Sequence, residues 1–146
     1  MSSAEGRRDL VIGVDIGGTK VAAGLVDPSG EILCQSRNPM VPNDGAATGL
    51  ASVTKAIEAA LVGSHALIRG VGICSPGPLD PQRGVVVNPP NLPCWRNFPL
   101  AAEVEQIYRV PVQLDNDANA AALAETLWGS GRGYTNVFKS STNSRV

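Results

Sequence analysis

Three segments of the 146-residue chain concentrate the residue types that phosphate, metal and hydroxyl chemistry require. The first is Asp15-Ile16-Gly17-Gly18-Thr19-Lys20. Consecutive glycines let a turn take positive φ and expose its N–H groups with no Cβ in the way. Such a turn can cradle phosphate oxygens. Thr19 adds a hydroxyl, Lys20 a positive charge, and Asp15 a carboxylate able to hold Mg²⁺ directly or through water. A plain Gly-Gly hairpin turn with an incidental aspartate fits the same residues. Two familiar phosphate motifs are excluded. Gly18 is followed by Thr19-Lys20, the reverse of the Lys-Ser/Thr order of a P-loop, and the next residues read as a strand. The G-x-G-x-x-G pattern is absent here, and the glycines at 129, 131 and 133 follow a helical pattern and read as its terminating loop.

The second segment, Leu114-Asp115-Asn116-Asp117-Ala118-Asn119, falls where a strand pattern ends and a helical pattern begins. Ligands of α/β proteins gather beyond the carboxyl ends of strands. An aspartate there can take a proton from a substrate hydroxyl, and a neighbouring asparagine can orient that substrate. The alternative is helix capping by Asn116 or Asp117, although one cap does not need three such side chains in a row. The third segment is Ser75-Pro76-Gly77-Pro78, a rigid turn that can line a pocket or simply reverse the chain. Asn91, in the proline-rich stretch 88–93, can bond a polyol or serve its loop. Trp95 can stack on a sugar ring or anchor the loop, and anchoring is the expected role. His65 is the only histidine, and Cys34, Cys74 and Cys94 are widely spaced. That pattern excludes a cysteine–histidine zinc cluster within these residues and a disulfide framework.

The elements that must position these segments follow from hydrophobic period. Strands are predicted over 10–15, 20–26, 31–37, 68–74, 85–87 and 110–114, with a further one starting at 136–138. Helices are predicted with Leu50, Val53, Ile57 and Leu61 on one face, with Leu100, Val104 and Ile107 on another, and over 118–128. The first three strands form an antiparallel meander, and the βββ-α-β-(β)-α-β-α order defines an α/β fold with a mixed sheet. Composition agrees. Hydrophobic residues make up 43% and suffice for a core, while charged residues at 17% exclude a charge-rich disordered chain. A net charge of −1 gives no basic field for nucleic acid or anionic membrane. The first residues carry no signal-peptide pattern, no apolar run approaches a membrane span, and a cytoplasmic location is expected. The 16 glycines and 11 prolines are expected in turns and close backbone approaches.

Taken together and in order, VIGVDIGGTKVAAGLVDPSGEIL, GVGICSPGPLD…GVVVNPPNLPCW and VPVQLDNDANAAALAE resemble the ROK family (repressors, open reading frames and sugar kinases) over residues 10–138. The resemblance implies an actin-like ATPase (ribonuclease-H-like) fold, with ATP and Mg²⁺ in a cleft between two such lobes. It assigns Asp15, Gly17, Gly18, Thr19 and Lys20 to the ATP-phosphate and metal region. Asp117 matches the general base, Asn116 a sugar ligand, and Gly77 and Asn91 the sugar-contacting loops. The reaction implied is γ-phosphoryl transfer from ATP to a hexose, by default the 6-hydroxyl of glucose. Family members are about twice as long, are often dimeric, and carry a zinc motif in a second lobe. From Lys139 the chain reads KSSTNSRV, polar and unpatterned. The expected organisation is therefore a disordered stretch 1–9, one N-terminal kinase lobe over 10–138, and an atypical tail 139–146. Such a chain is expected to be a truncated or frame-shifted product or an incomplete gene model, inactive or nearly so alone. A sugar-responsive regulator fragment or a non-catalytic sugar-binding half-domain are the competing readings.

Overall fold

The computed structural model describes residues 9–61 and 68–116. Within them lie strands β1 (Leu10–Ile16), β2 (Lys20–Val26) and β3 (Ile32–Pro39), helix α1 (Ala46–Leu61), and strand β4 (Ile68–Cys74). Short strands β5 (Leu79–Asp80) and β6 (Val85–Val86), helix α2 (Leu100–Tyr108) and strand β7 (Val112–Asp115) follow. The helix and strand predicted over 118–128 and 136–138 lie outside the described residues, as do His65 and Asp117.

The main sheet has the order β3-β2-β1-β4-β7. β1, β2 and β3 form the predicted antiparallel meander, and β4 and β7 run parallel to β1. Ile12, Val14 and Ile16 of β1, Val71 and Ile73 of β4 and Leu114 of β7 share one face and join α1 and α2 in a single core. Parallel strands need cover on both faces, and β1 and β4 are accordingly buried along most of their length. The edge strand β3 alternates half-buried and exposed residues instead. Its position agrees with expectation but it runs on to Pro39, its alternation leaves Leu33 exposed, and the register shifts between Leu25 and Val26.

Two expectations need correction. The buried stripe of α1 is Gly49, Ser52, Val53, Ala56, Ile57 and Ala60, so Leu50 and Leu61 flank the contact rather than centre it. Small residues at the centre let the helix approach the sheet closely. Ser36 Oγ donates to the Ala56 carbonyl at 2.6 Å, and the Ser52 hydroxyl donates to Thr48 O and accepts from Val41 N–H. The stretch 75–81 is not wholly irregular, because Leu79–Asp80 pairs with Val85–Val86 in a two-stranded ribbon. Pro78 and Pro81 flank that strand, where no ladder donor is needed. Gly24, Gly13 and Gly72 fall side by side in one register row inside the sheet.

β7 begins at Val112 rather than 110. Pro111 supplies no N–H, yet its carbonyl accepts from Val71 N–H at 3.0 Å and opens the ladder with β4. Among the described residues, no helix is long and apolar enough to cross a membrane.

Candidate functional site

The carboxyl ends of the three parallel strands lie side by side, and there the sequence-predicted residues gather. Asp15 of β1 is in register with Cys74 of β4, and Cys74 with Asp115 of β7. With strands about 4.8 Å apart, Asp15 and Asp115 stand about 10 Å from each other across Cys74. Asp15 is the one exposed residue in an otherwise buried strand. Its charge stays in water at the sheet's edge, where an ionised carboxylate can exist without a partner. Among the described residues it makes no ion pair.

The β1–β2 connection carries Gly17, Gly18 and Thr19. Gly17 N–H donates to Lys20 O at 2.8 Å, and the Thr19 carbonyl accepts from Met40 N–H at 2.9 Å. The turn is therefore held at both ends by its own hairpin and by the segment after β3. One of the N–H groups expected to face phosphate, that of Gly17, is already used. No backbone carbonyl among the described residues takes the N–H of Gly18 or Thr19, which leaves both available to an anion. Thr19 and Lys20 are exposed. The expected reason for the glycines is also corrected: neither Gly17 nor Gly18 has positive φ. Gly18 is favoured by proximity instead, because a Cβ there would lie 3.3 Å from the Cβ of Asn91, tighter than carbon atoms ordinarily pack.

That close approach sets the proline-rich loop beside the Gly17–Thr19 turn. Leu92 behind Asn91 is fully buried, and its N–H donates to Pro89 O. Cys94 N–H donates to Pro42 O at 2.8 Å, and Trp95 N–H to Leu92 O. Trp95 is 1% exposed, donates Nε1–H to Ala46 O at 3.3 Å and stacks on Phe98 with ring centroids 5.4 Å apart. It anchors the loop and has no face open to a sugar. Burial raises the Cys94 thiol above its ordinary value, with a backbone hydrogen bond opposing in part, which is opposite to the shift an activated thiolate needs.

The remaining pair meets at the ends of β4 and β7. A Cβ on Gly77 would lie 3.8 Å from the Cβ of Asn116, so the Ser-Pro-Gly-Pro turn and the Asp-Asn segment are neighbours. Asp115, assigned no role in the sequence, joins them. Its carboxylate accepts from Asn116 N–H at 2.7 Å, and its carbonyl accepts from Ser75 N–H at 2.9 Å. Nothing in its residue type distinguishes that role, which depends on a strand pairing. Among the described residues no group of three histidine, cysteine or carboxylate side chains could hold a metal ion.

A mixed five-stranded sheet in this order, with its polar turns collected at the carboxyl ends of the parallel strands, defines an actin-like ATPase architecture within the α/β class. The ROK family model matches residues 11–141, and the chain belongs to the ROK family. It is 44% identical over 128 residues to the glucokinase of Streptomyces coelicolor, a match covering 88% of this chain and 39% of that protein. It is 27% identical over 144 residues to the xylose repressor of Bacillus spizizenii, covering 92% of this chain and 35% of the repressor. The crystal structure of a ROK family glucokinase from Streptomyces griseus in complex with glucose and AMPPNP superposes with a TM-score of 0.67 at 42% identity. That match covers 85% of this chain and 38% of the enzyme. The chain thus spans about two-fifths of the length of the glucokinases it matches.

Proposed function

We propose that residues 10–138 are the N-terminal lobe of an ATP-dependent hexose kinase of the glucokinase type. The observation that carries this reading is the seating of Asn91 against Gly18, with Gly77 against Asn116 two strands away. On this reading an anion-ready turn and two polyol-ready loops share one edge of the sheet, as a phosphoryl donor and a hydroxyl acceptor require. The glucokinase relatives and the neighbour binding glucose and AMPPNP support sugar and ATP as ligands.

On this reading the N–H groups of Gly18 and Thr19 and the Thr19 hydroxyl hold phosphate oxygens, and Lys20 offsets their charge. A single exposed carboxylate beside a phosphate turn fits Mg²⁺, which takes one or two carboxylates and completes its shell with phosphate oxygens and water. Asp15 would hold it, and the ion would neutralise charge on the transferring group. Asn116 and Asn91 hydrogen-bond sugar hydroxyls, and Gly77 lets the backbone approach the ring. Asp117, assigned by family resemblance, takes the proton of the attacking hydroxyl. The new O–P bond forms in line as the bond from the γ-phosphorus to the bridging oxygen breaks, and ADP leaves. The same resemblance places any zinc motif and the rest of the cleft in a second lobe, and dimerisation and a cytoplasmic location belong to the whole kinase.

The repressor match supports a second reading, a sugar-responsive regulator of the same family. A panel of hexoses with MgATP, applied to this chain and to a version extended to the length of its relatives, separates the two. Phosphorylation of glucose by the extended protein is the expected result. Sugar binding with no turnover in that protein would favour the regulator.

A further inference from the structure

We infer that Asn91 is a positioning residue for the phosphate turn as well as a sugar-side residue, so that the two substrate regions are coupled through one steric contact. The inference rests on the kinase reading above and adds to it a reason for the contact. A Cβ on Gly18 would meet Asn91 Cβ at 3.3 Å, Asn91 O at 3.6 Å and Asn91 Cγ at 3.9 Å. Contact at 3.3 Å is closer than carbon atoms ordinarily pack, so one side would have to yield.

Neither side is free to do so. On the loop side, Asn91 precedes fully buried Leu92, and Cys94 and Trp95 are tied to Pro42 O and Leu92 O. The indole of Trp95, tied to Ala46 O, closes the loop from below. On the turn side, Gly17 N–H is bonded to Lys20 O and Thr19 O to Met40 N–H. Met40 and Pro42 lie two residues apart, so the segment that holds Thr19 also holds the loop at Cys94. The turn and the loop are thus clamped to one short strip of chain, with little room for a Cβ between Gly18 and Asn91. Asn91 itself is exposed, and its carboxamide donates to and accepts from no described residue. Its Cβ does the seating while its amide remains available to ligand. Held in this way, Asn91 fixes where the backbone N–H groups of the turn stand while its amide engages a sugar.

The test is a double-mutant cycle on the 146-residue chain, with MgATP affinity by calorimetry and thermal melting measured for each variant. Gly18→Ala is expected to weaken MgATP binding about tenfold or more and to lower the melting temperature, as overpacking does. Adding Asn91→Gly, which removes the opposing Cβ, is expected to restore both to the level of Asn91→Gly alone. Adding Asn91→Ala, which keeps the Cβ and removes only the amide, is expected to restore neither. If Gly18→Ala/Asn91→Gly is as weak as Gly18→Ala alone, or if Asn91→Ala rescues equally, the inference is overturned. If the unmodified chain binds no MgATP, the phosphate reading of the turn fails instead. The melting cycle then still decides whether Asn91 seats it.

Discussion

At the scale of single residues, the sharpest expectation concerns a side chain that family resemblance alone identifies. Replacing Asp117 with Asn keeps size and hydrogen-bonding capacity but removes the base. A positioned base contributes about 10²–10⁴ in rate, so turnover of the extended kinase should fall at least 100-fold. Glucose affinity should change by no more than about threefold, because the amide still reaches the hydroxyl. Coupled assays and a glucose titration on the same variant check both halves, and undiminished turnover would remove Asp117 from the mechanism. A second residue-scale prediction concerns stability. Tyr108 Oη donates to Glu58 Oε2 at 2.8 Å and links α2 to α1. Burial, then the hydrogen bond and charge of Glu58, push the phenol well above its ordinary value near 10. The unfolded chain therefore loses this proton before the folded one does. The stabilisation is complete below about pH 10 and is lost as pH rises beyond it. Melting curves between about pH 9 and pH 11.5 should fall more steeply for the native chain than for Tyr108→Phe. Parallel slopes would show that the fold does not hold the Tyr108 phenol proton above its ordinary value.

At the scale of elements, α1 sets the distance between the sheet and the Trp95 loop. A mid-helix glycine replaced by alanine ordinarily gains about 0.5–1 kcal/mol from propensity. At Gly49 the sign should reverse. A Cβ there would lie 2.7 Å from Cys94 Sγ and 3.1 Å from Trp95 Nε1, and the fully buried indole has nowhere to go. Overpacking of this kind costs about 1–3 kcal/mol, which outweighs the propensity gain. Gly49→Ala should therefore lower the melting temperature by several degrees, and Gly49→Ala combined with Cys94→Ala should recover part of the loss. A melting temperature that rises in the single variant would show that the loop yields. This contact also marks the limit of what was legible in the sequence. Period identified β1, β2, β4 and both described helices, because alternating or continuous Val, Ile and Leu runs report burial directly. It placed Val53 and Ile57 of α1 correctly but passed over Gly49, Ser52, Ala56 and Ala60, because hydrophobic period does not credit the small residues that line a tight interface. It found β6 through the Val85–Val87 run but missed β5 and so the β5–β6 ribbon, because a two-residue strand is shorter than any period. At the site, Asp15, Gly18, Asn91, Gly77 and Asn116 were all legible as residue types. Their pairing, and the part Asp115 plays in it, depended on register across the parallel strands, which a single chain does not print.

At the scale of the whole molecule, the described site is an edge and not a cleft. Asp15, the Gly18–Thr19 N–H groups, Asn91, Gly77 and Asn116 all lie at the carboxyl ends of one sheet, with Asp15, Thr19, Asn91 and Asn116 exposed. Phosphoryl transfer draws most of its rate from donors that surround the transferring group and exclude water. Groups contributed from one side can bind a phosphate and a sugar, but they leave the opposite side of the developing charge to bulk solvent. The glucokinase relatives are more than twice as long as the region they share with this chain. The 146-residue chain by itself should therefore bind MgATP and glucose weakly while turning glucose over at least about 10³-fold more slowly than the Streptomyces coelicolor glucokinase in the same assay. Calorimetry and a coupled assay run on one preparation separate the two quantities. Weak binding with negligible turnover is the expected outcome. Turnover within tenfold of the longer enzyme would show that these residues alone enclose the transferring group, and the one-sided description of the site would have to be abandoned.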